Sequence, residues 1–359
     1  GPVSCAMGCS SSAPKWSEWS KKDLAKSAVH VVNFLRLVEA HPCLYGNKDI
    51  VANAVRRYEE VWLPLLASVA DKHKRIKLCP PLDVEWIWHC HLLAPKAYRR
   101  DVQKVIGREL IFDHEVFTAS RREAGRTAAK PLWHKMAPQE AFEIETNLKA
   151  APHVVAGGGS AGRASKIEYD LVAAAERQMS FNYQVAWSPQ YQNKTFLNEA
   201  ARRYDRFVGL KKNDPNGFFV PTYDIDLMWH THQLHHSAYV NDTTKHLGQL
   251  LNHDDSVNDR SEGSKLDSSW KRTREAWKQA YRKDGPALSG GMWRGNPSTA
   301  ELALRSRAQG LIAGLGVSGG GTYVVSEPSL VAPPWAAEWS AVPWVHARCL
   351  QQPAQGASG

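Results

Sequence analysis

The sequence contains no long hydrophobic run. Its longest apolar stretch, residues 61–70, is about half as long as the roughly 18 residues that a membrane-spanning helix needs, and Pro64 interrupts it. We therefore exclude a transmembrane protein. A membrane association is expected only if Met7 is the true start, because Met7-Gly8-Cys9 then matches a lipidation sequence.

Cysteine is also scarce. The chain has 6 cysteines in 359 residues and none in a C-x-x-C pair, which excludes a disulfide-stabilised scaffold. Reduced thiols of this kind are typical of proteins inside the cell, so we expect a cytoplasmic or nuclear location.

Positive charge is present but not concentrated. The formal net charge is +9, yet acidic residues interleave with most of the basic ones. Nucleic-acid binders gather their charge into a patch that neutralises a row of phosphates. The scattered pattern predicts weak or no direct RNA binding.

What the sequence does contain is an internal repeat. Residues 80–116 align with residues 221–257 at a constant offset of 141, without a gap, and 14 of the 37 positions are identical. In this alignment His253 pairs with Phe112, and Asp254 with Asp113. Upstream, residues 56–58 (RRY) match residues 202–204 (RRY). Self-similarity of this extent indicates a duplicated unit.

The repeat and the composition divide the chain into five parts. We predict a flexible leader (1–20), helical unit A (21–150), a Gly/Ala/Ser-rich linker (151–166), helical unit B (167–295) and a low-complexity tail (296–359). Helices are expected over 23–40, 50–70, 170–186 and 195–210, with short apolar stretches at 76–79 and 218–220. The predicted fold class is mainly α: two duplicated helical units related by a pseudo-twofold, with short strands or extended segments.

The motif shared by the two units is Pro-x-x-Asp-x-(Glu/Asp)-x-x-Trp-His-x-His-x-Leu. Proline followed by an acidic first turn is a helix-start signature. On a helix, Glu85 shares a face with His89, four residues later, and Asp226 likewise shares a face with His230. Histidines two positions apart then point roughly 200° away from each other and cannot share a metal ion. In an extended segment they would share a face, but the spacing of Trp86, His89 and Leu93 favours a helix.

Clusters of histidine and carboxylate suit zinc, iron or manganese. The interpretation as a divalent-metal site therefore has these candidates: His230, His232, His253, Asp254, Asp226, His89, His91 and Glu85. The competing interpretation is structural, with tryptophans in the core and His–Asp pairs as buried hydrogen bonds. Unit B is the better metal candidate, because 6 of the 15 histidines fall within residues 230–253, including His235, His236 and His246.

Several segments together resemble the plant-type glycine-rich domain-containing proteins. They are residues 82–91 (LDVEWIWHCH), 169–175 (YDLVAAA), 220–234 (VPTYDIDLMWHTHQL), 253–255 (HDD), 265–267 (KLD) and 291–295 (GMWRG). The resemblance implies an intracellular protein linked with development and stress responses, and it brings no established catalytic residues. Two features depart from the family: its long glycine-rich C-terminal domain is missing, and His236 stands where proline is usual.

Two functions of different class follow. The first is a non-catalytic regulatory or scaffold protein whose partners are other proteins, which the resemblance and the lack of a catalytic constellation favour. The alternative is a metal-dependent enzyme that uses the Trp-His-x-His and His-Asp-Asp clusters.

Overall fold

The computed structural model describes residues 21–41, 43–70, 77–114, 118–143, 164–257, 259, 261–281 and 291. The predicted leader, most of the linker, the lipidation sequence and the tail lie outside these residues. The part of the chain that is described contains helices and connecting segments but no strand, so the predicted mainly α class is confirmed. None of its helices is long and apolar enough to cross a bilayer.

The described residues of unit A form seven α-helices. They are α1 (Lys21–Glu39), α2 (Cys43–Gly46), α3 (Lys48–Arg57), α4 (Leu63–Ala70), α5 (Leu82–Leu92), α6 (Pro95–Ile106) and α7 (Ala119–Met136). A π-helical turn over Tyr58–Trp62 joins α3 to α4. The proline at position 64 has no N–H for the carbonyl of residue 60, which explains why the regular helical ladder is interrupted there.

In the part of unit B that the structure describes there are five α-helices and a short 3-10 turn, Pro189–Gln192. The helices are α8 (Leu171–Val185), α9 (Lys194–Asn213), α10 (Tyr223–Leu234), α11 (His236–Leu247) and α12 (Lys265–Ala280). The four helices predicted from sequence correspond to α1, α3–α4, α8 and α9. The shared motif forms α5 and α10, as its acidic first turn predicts.

Local sequence signals set the helix ends. Asn47, Asp170, Asn193 and Ser264 each accept a backbone N–H at the start of a helix. The ends of α6 and α11 are set by Gly107 and Gly248, whose φ values of 81° and 78° favour a residue without a Cβ. The two glycines occupy equivalent places in the repeat.

The two units interlock through their first helices. Helix α1 of unit A packs against α9 and α10 of unit B. In return, α8 of unit B packs against α3 and α5 of unit A. Since α8 corresponds to α1, and α9 and α10 correspond to α3 and α5, the exchange is reciprocal, as a pseudo-twofold relation requires. One continuous hydrophobic core therefore spans both units.

Matching polar contacts repeat in both units and show the duplication at the level of side chains. The buried ion pair Arg57–Asp83 (2.8 Å) corresponds to Arg203–Asp224 (2.5 Å). The other repeated contacts are Tyr58–His91 and Tyr204–His232, both 3.1 Å, and the indole-to-phenol bonds Trp88–Tyr98 (3.3 Å) and Trp229–Tyr239 (2.8 Å).

Replacing Arg203 with alanine would leave the buried carboxylate of Asp224 without its guanidinium. We expect the free energy of unfolding to fall by about 3 kcal/mol, because an uncompensated buried charge is costly. Arg202 is the matched control: it is exposed and pairs with Glu199 one turn away. Its replacement by alanine should cost less than about 0.5 kcal/mol. Urea denaturation measures both, and equal losses would show that the Arg203 pair is not a stabilising contact.

Candidate metal centre

Three side chains of unit B converge beside helix α10. Asp226 and His230 lie one turn apart on that helix, and His253 follows α11. One ligand atom from each residue lies within 4.8 Å of the others. The Oδ1 atom of Asp226 is 3.5 Å from Nε2 of His230 and 3.6 Å from Nε2 of His253. Both histidines are buried and Asp226 is partly exposed.

His253 is held from the other unit. Its Nδ1 lies 2.9 Å from the backbone carbonyl oxygen of Leu93, which can only accept a hydrogen bond. Nδ1 therefore carries the proton, and Nε2 points towards Asp226. This is the orientation that outer partners impose on metal-binding histidines. Burial lowers the pKa of His253, but the bond to Asp226 and its charge outweigh burial, so the pKa is raised overall.

His230 is a buried imidazole without a hydrogen-bond partner. Neither ring nitrogen bonds to any described residue, and the ring lies against Phe181 with 4.3 Å between centroids. Burial lowers the pKa of His230 to about 4, so the ring is neutral at pH 7 and its nitrogen lone pair is available. A buried polar group left unbonded costs free energy, and a bound cation would remove that cost.

The three side chains face a cavity of about 360 Å³. Much of the rest of its wall is apolar and comes from Phe218, Phe219, Trp270 and Leu266, among others. The cavity lies within the size range of small-molecule sites. A metal ion at the three ligands would thus have free space on one side.

The other sequence candidates of unit B lie outside this group. His232 points away from His230 and pairs with Asp242 at 3.2 Å. Asp254 lines the cavity, but its carboxylate accepts the N–H (3.0 Å) and hydroxyl (2.5 Å) of Ser256. The additional histidines at positions 235, 236 and 246 do not join the three ligands either.

Unit A places the corresponding residues differently. The carboxylate of Glu85 accepts hydrogen bonds from Arg122 and Cys79, and lies 2.9 Å from Nε2 of His114. His89 stacks on Trp86, and His91 pairs with Asp101 at 3.4 Å. Among the described residues, the Asp226 group is the single one in which three ligand atoms meet within 4.8 Å. In unit A the guanidinium of Arg122 already neutralises the buried carboxylate of Glu85, so this carboxylate needs no metal ion to balance its charge.

The difference between the units lies in what surrounds the carboxylate. In unit A the carboxylate of Glu85 pairs with Arg122 of α7, whereas in unit B the cavity beside Asp226 is lined by the uncharged side chains of Leu266 and Trp270 of α12. The sequence analysis missed Arg122 as the partner of Glu85 because it did not compare α7 with α12.

The gap-free alignment is wrong beyond the two glycines that end α6 and α11. The phenol of Tyr98 donates to the carbonyl of Phe112, whereas the equivalent Tyr239 donates to Leu251, an offset of 139 rather than 141. His253 therefore corresponds to His114, not to Phe112, and unit A has two additional residues in this loop. The rings of His114 and His253 sit 5.0 Å and 4.8 Å from those of Trp88 and Trp229.

Glu85 makes a pH-dependent contribution to stability. Burial raises its pKa, but the charge of Arg122 and the bond to His114 outweigh burial, so the pKa lies below its ordinary value of 4.5. The charged form therefore stabilises the fold above pH 4.5, and this contribution disappears as the pH falls below that value. We expect Glu85→Gln to lower the free energy of unfolding at pH 7, and the deficit to shrink at about pH 3.5.

Urea denaturation at several pH values measures this effect. Glu123→Gln, on the exposed side of α7, is the control and should show little change at any pH. A deficit of Glu85→Gln that does not vary with pH would contradict the assignment.

Comparison with known proteins gives the family. The model of the family described as "Glycine-rich domain-containing protein-like" matches twice, over residues 6–101 and 97–242. Glycine-rich domain-containing protein 2 of Arabidopsis thaliana is 38% identical over 299 residues, which cover 79% of this chain and 36% of the relative. Glycine-rich domain-containing protein 1 of the same plant is 35% identical over 265 residues, which cover 72% of this chain and 32% of that relative.

The chain thus spans about a third of the length of these relatives. No solved structure matches it. The two family matches agree in number, though not in their bounds, with the two units of the fold, and together they extend over more than half of the residues. On this evidence of sequence and duplication, the chain belongs to the glycine-rich domain-containing protein family.

Proposed function

We propose that this protein binds one divalent transition-metal ion through Asp226, His230 and His253. The observation that carries the proposal is the convergence of the three ligand atoms within 4.8 Å at the wall of a cavity. The orphaned ring nitrogens of His230 and the fixed tautomer of His253 support it.

The donor set favours a catalytic ion over a structural one. Structural zinc sites are closed by four protein ligands, whereas catalytic sites keep a position open for water or substrate. Two imidazoles and one carboxylate leave such positions, and this set suits iron, manganese or zinc. When bound, the ion would act as a Lewis acid or activate a water molecule. The alternative of a metal-dependent enzyme is therefore the function that the geometry favours.

The protein's own residues would prepare the site. His230 supplies a neutral donor because burial suppresses its protonation. His253 presents Nε2 because Leu93 holds Nδ1. The apolar wall beside them would exclude bulk water, which strengthens electrostatic interactions inside the cavity.

A regulatory or scaffold role in development and stress responses, with other proteins as partners, is supported by the family resemblance and by the lack of a recognised catalytic constellation in the sequence. Weak or absent RNA binding stays a prediction. A protein that takes up no metal would favour the scaffold role.

Metal content tests the proposal directly. The full chain is incubated with Zn²⁺, Mn²⁺ or Fe²⁺, dialysed and analysed by inductively coupled plasma mass spectrometry. We expect about one equivalent of at least one of these ions per chain. Asp226→Asn, a substitution of similar size at a partly exposed position, should abolish retention without unfolding the protein.

The repeat provides a matched control. His89 occupies the position of His230 in unit A, and both are 1% exposed. His230→Gln should weaken metal binding by more than the 10–100-fold that loss of an outer partner costs. His89→Gln should bind metal like the wild type. Equal retention by wild type, Asp226→Asn and both glutamine variants would refute the site.

A further inference from the structure

The cavity beside the three ligands has a second polar group in its wall, Lys211 on the last turn of α9. This side chain is 9% exposed. Its Nζ donates to the carbonyl of Gly217 at 3.1 Å. It also lies 5.9 Å and 5.5 Å from the ring centres of Phe218 and Phe219. The amine is therefore held at an apolar wall.

The amine has unused donor capacity. A lysine ammonium carries three N–H groups, and the bond to Gly217 uses one of them. No carboxylate of the described residues lies within ion-pair distance of Lys211. Burial lowers its pKa to about 8; the charge of Asp214 opposes this shift and that of Arg272 adds to it. A partner with negative charge would offset this cost of burial.

The other charged groups around the cavity already have partners. Arg177, the other strongly basic side chain of the wall, pairs with Asp255 at 3.0 Å. Asp267 pairs with Lys271 at 2.7 Å and accepts the N–H of Gly263. The remaining neighbours are Asp214, which pairs with Arg272, and Lys265, whose Nζ lies 4.5 Å from the ring centre of Phe218.

We propose that the cavity binds a small monocarboxylic acid with an aromatic or aliphatic body. Its carboxylate would pair with the Nζ of Lys211, and its body would lie against Phe218, Phe219 and Trp270. A single ammonium matches a single negative charge. A phosphate dianion fits less well. Its two negative charges would lie near the carboxylates of Asp226, Asp254, Asp255 and Asp267, and Lys211 is the one cation of the described wall without an ion pair to balance them.

The proposal has a signature in proton uptake. A bound carboxylate raises the pKa of Lys211, so binding near pH 8.5 takes up a proton that the amine has partly lost. At about pH 6.5 the amine is already charged and contributes no uptake. Affinity should accordingly be highest below pH 8 and fall as the pH rises above it.

Isothermal titration calorimetry tests this with the full chain, stripped of metal by a chelator. The probe is 4-phenylbutyrate, and its neutral amide is the control ligand. At about pH 7 we expect the acid to bind at least about tenfold more tightly than the amide. At about pH 8.5, heats measured in borate and in Tris should differ, because the two buffers supply the absorbed proton with different enthalpies.

Two variants locate the contact. Lys211→Met keeps the apolar stem and should remove both the preference for the acid and the proton uptake. Lys212→Met, at the exposed neighbouring position, should leave both unchanged.

Three results would overturn the proposal. They are equal affinity for acid and amide in the wild type, no binding of either ligand, and tighter binding of inorganic phosphate than of the acid. All three are measured in the wild type and do not depend on the folding of a variant.

The inference stands apart from the metal site. Acid binding without metal uptake would refute the proposed function alone. Metal uptake without acid binding would refute this inference alone.

Discussion

The structure depends on the exchange of first helices between the two units. Helix α1 fills the space beside α9 and α10, and α8 fills the equivalent space beside α3 and α5. This packing brings the loop of each unit against the motif helix of the other. The carbonyl of Leu93 orients His253, while the carbonyl of Leu234 accepts the N–H of His114. The candidate metal site lies in unit B, but the orientation of one of its ligands is set by unit A.

The two copies of the motif solve one electrostatic problem in two ways. Each places a carboxylate and two histidines near a tryptophan in the protein interior, where an unpaired charge is costly. Unit A neutralises Glu85 with Arg122 and thereby closes the site. Unit B instead has a cavity beside Asp226, with Leu266 and Trp270 of α12 in its wall. Unit A thus pairs its carboxylate with an arginine, and unit B leaves its carboxylate facing a cavity. Divergence after duplication would produce this difference if only the site in unit B kept a ligand.

Sequence reasoning predicted the features that depend on local periodicity. The i, i+4 spacing placed Asp226 and His230 on one face, and the helical period separated His230 from His232. The sequence analysis named His253 as a candidate ligand, but it could not predict the path of the loop after α11. This loop is two residues shorter than its counterpart in unit A and brings His253 to Asp226. Nor could sequence reasoning predict Leu266 or Lys211 as cavity wall, since those depend on how α9 and α12 pack. The gap-free alignment failed because Gly107 and Gly248 end equivalent helices but begin loops of different length.

The helix exchange also constrains how the chain is made. Residues of α1 leave the ribosome roughly 200 residues before α10 is complete, which at 5–20 residues per second is about 10–40 s. During that time the part of α1 that packs against α9 and α10 in the finished protein lacks both helices. Unit A therefore cannot finish folding by itself while it is being synthesised. Its completion waits for the second half of the chain, so a truncated product would carry an uncovered apolar helix face and a strong tendency to aggregate.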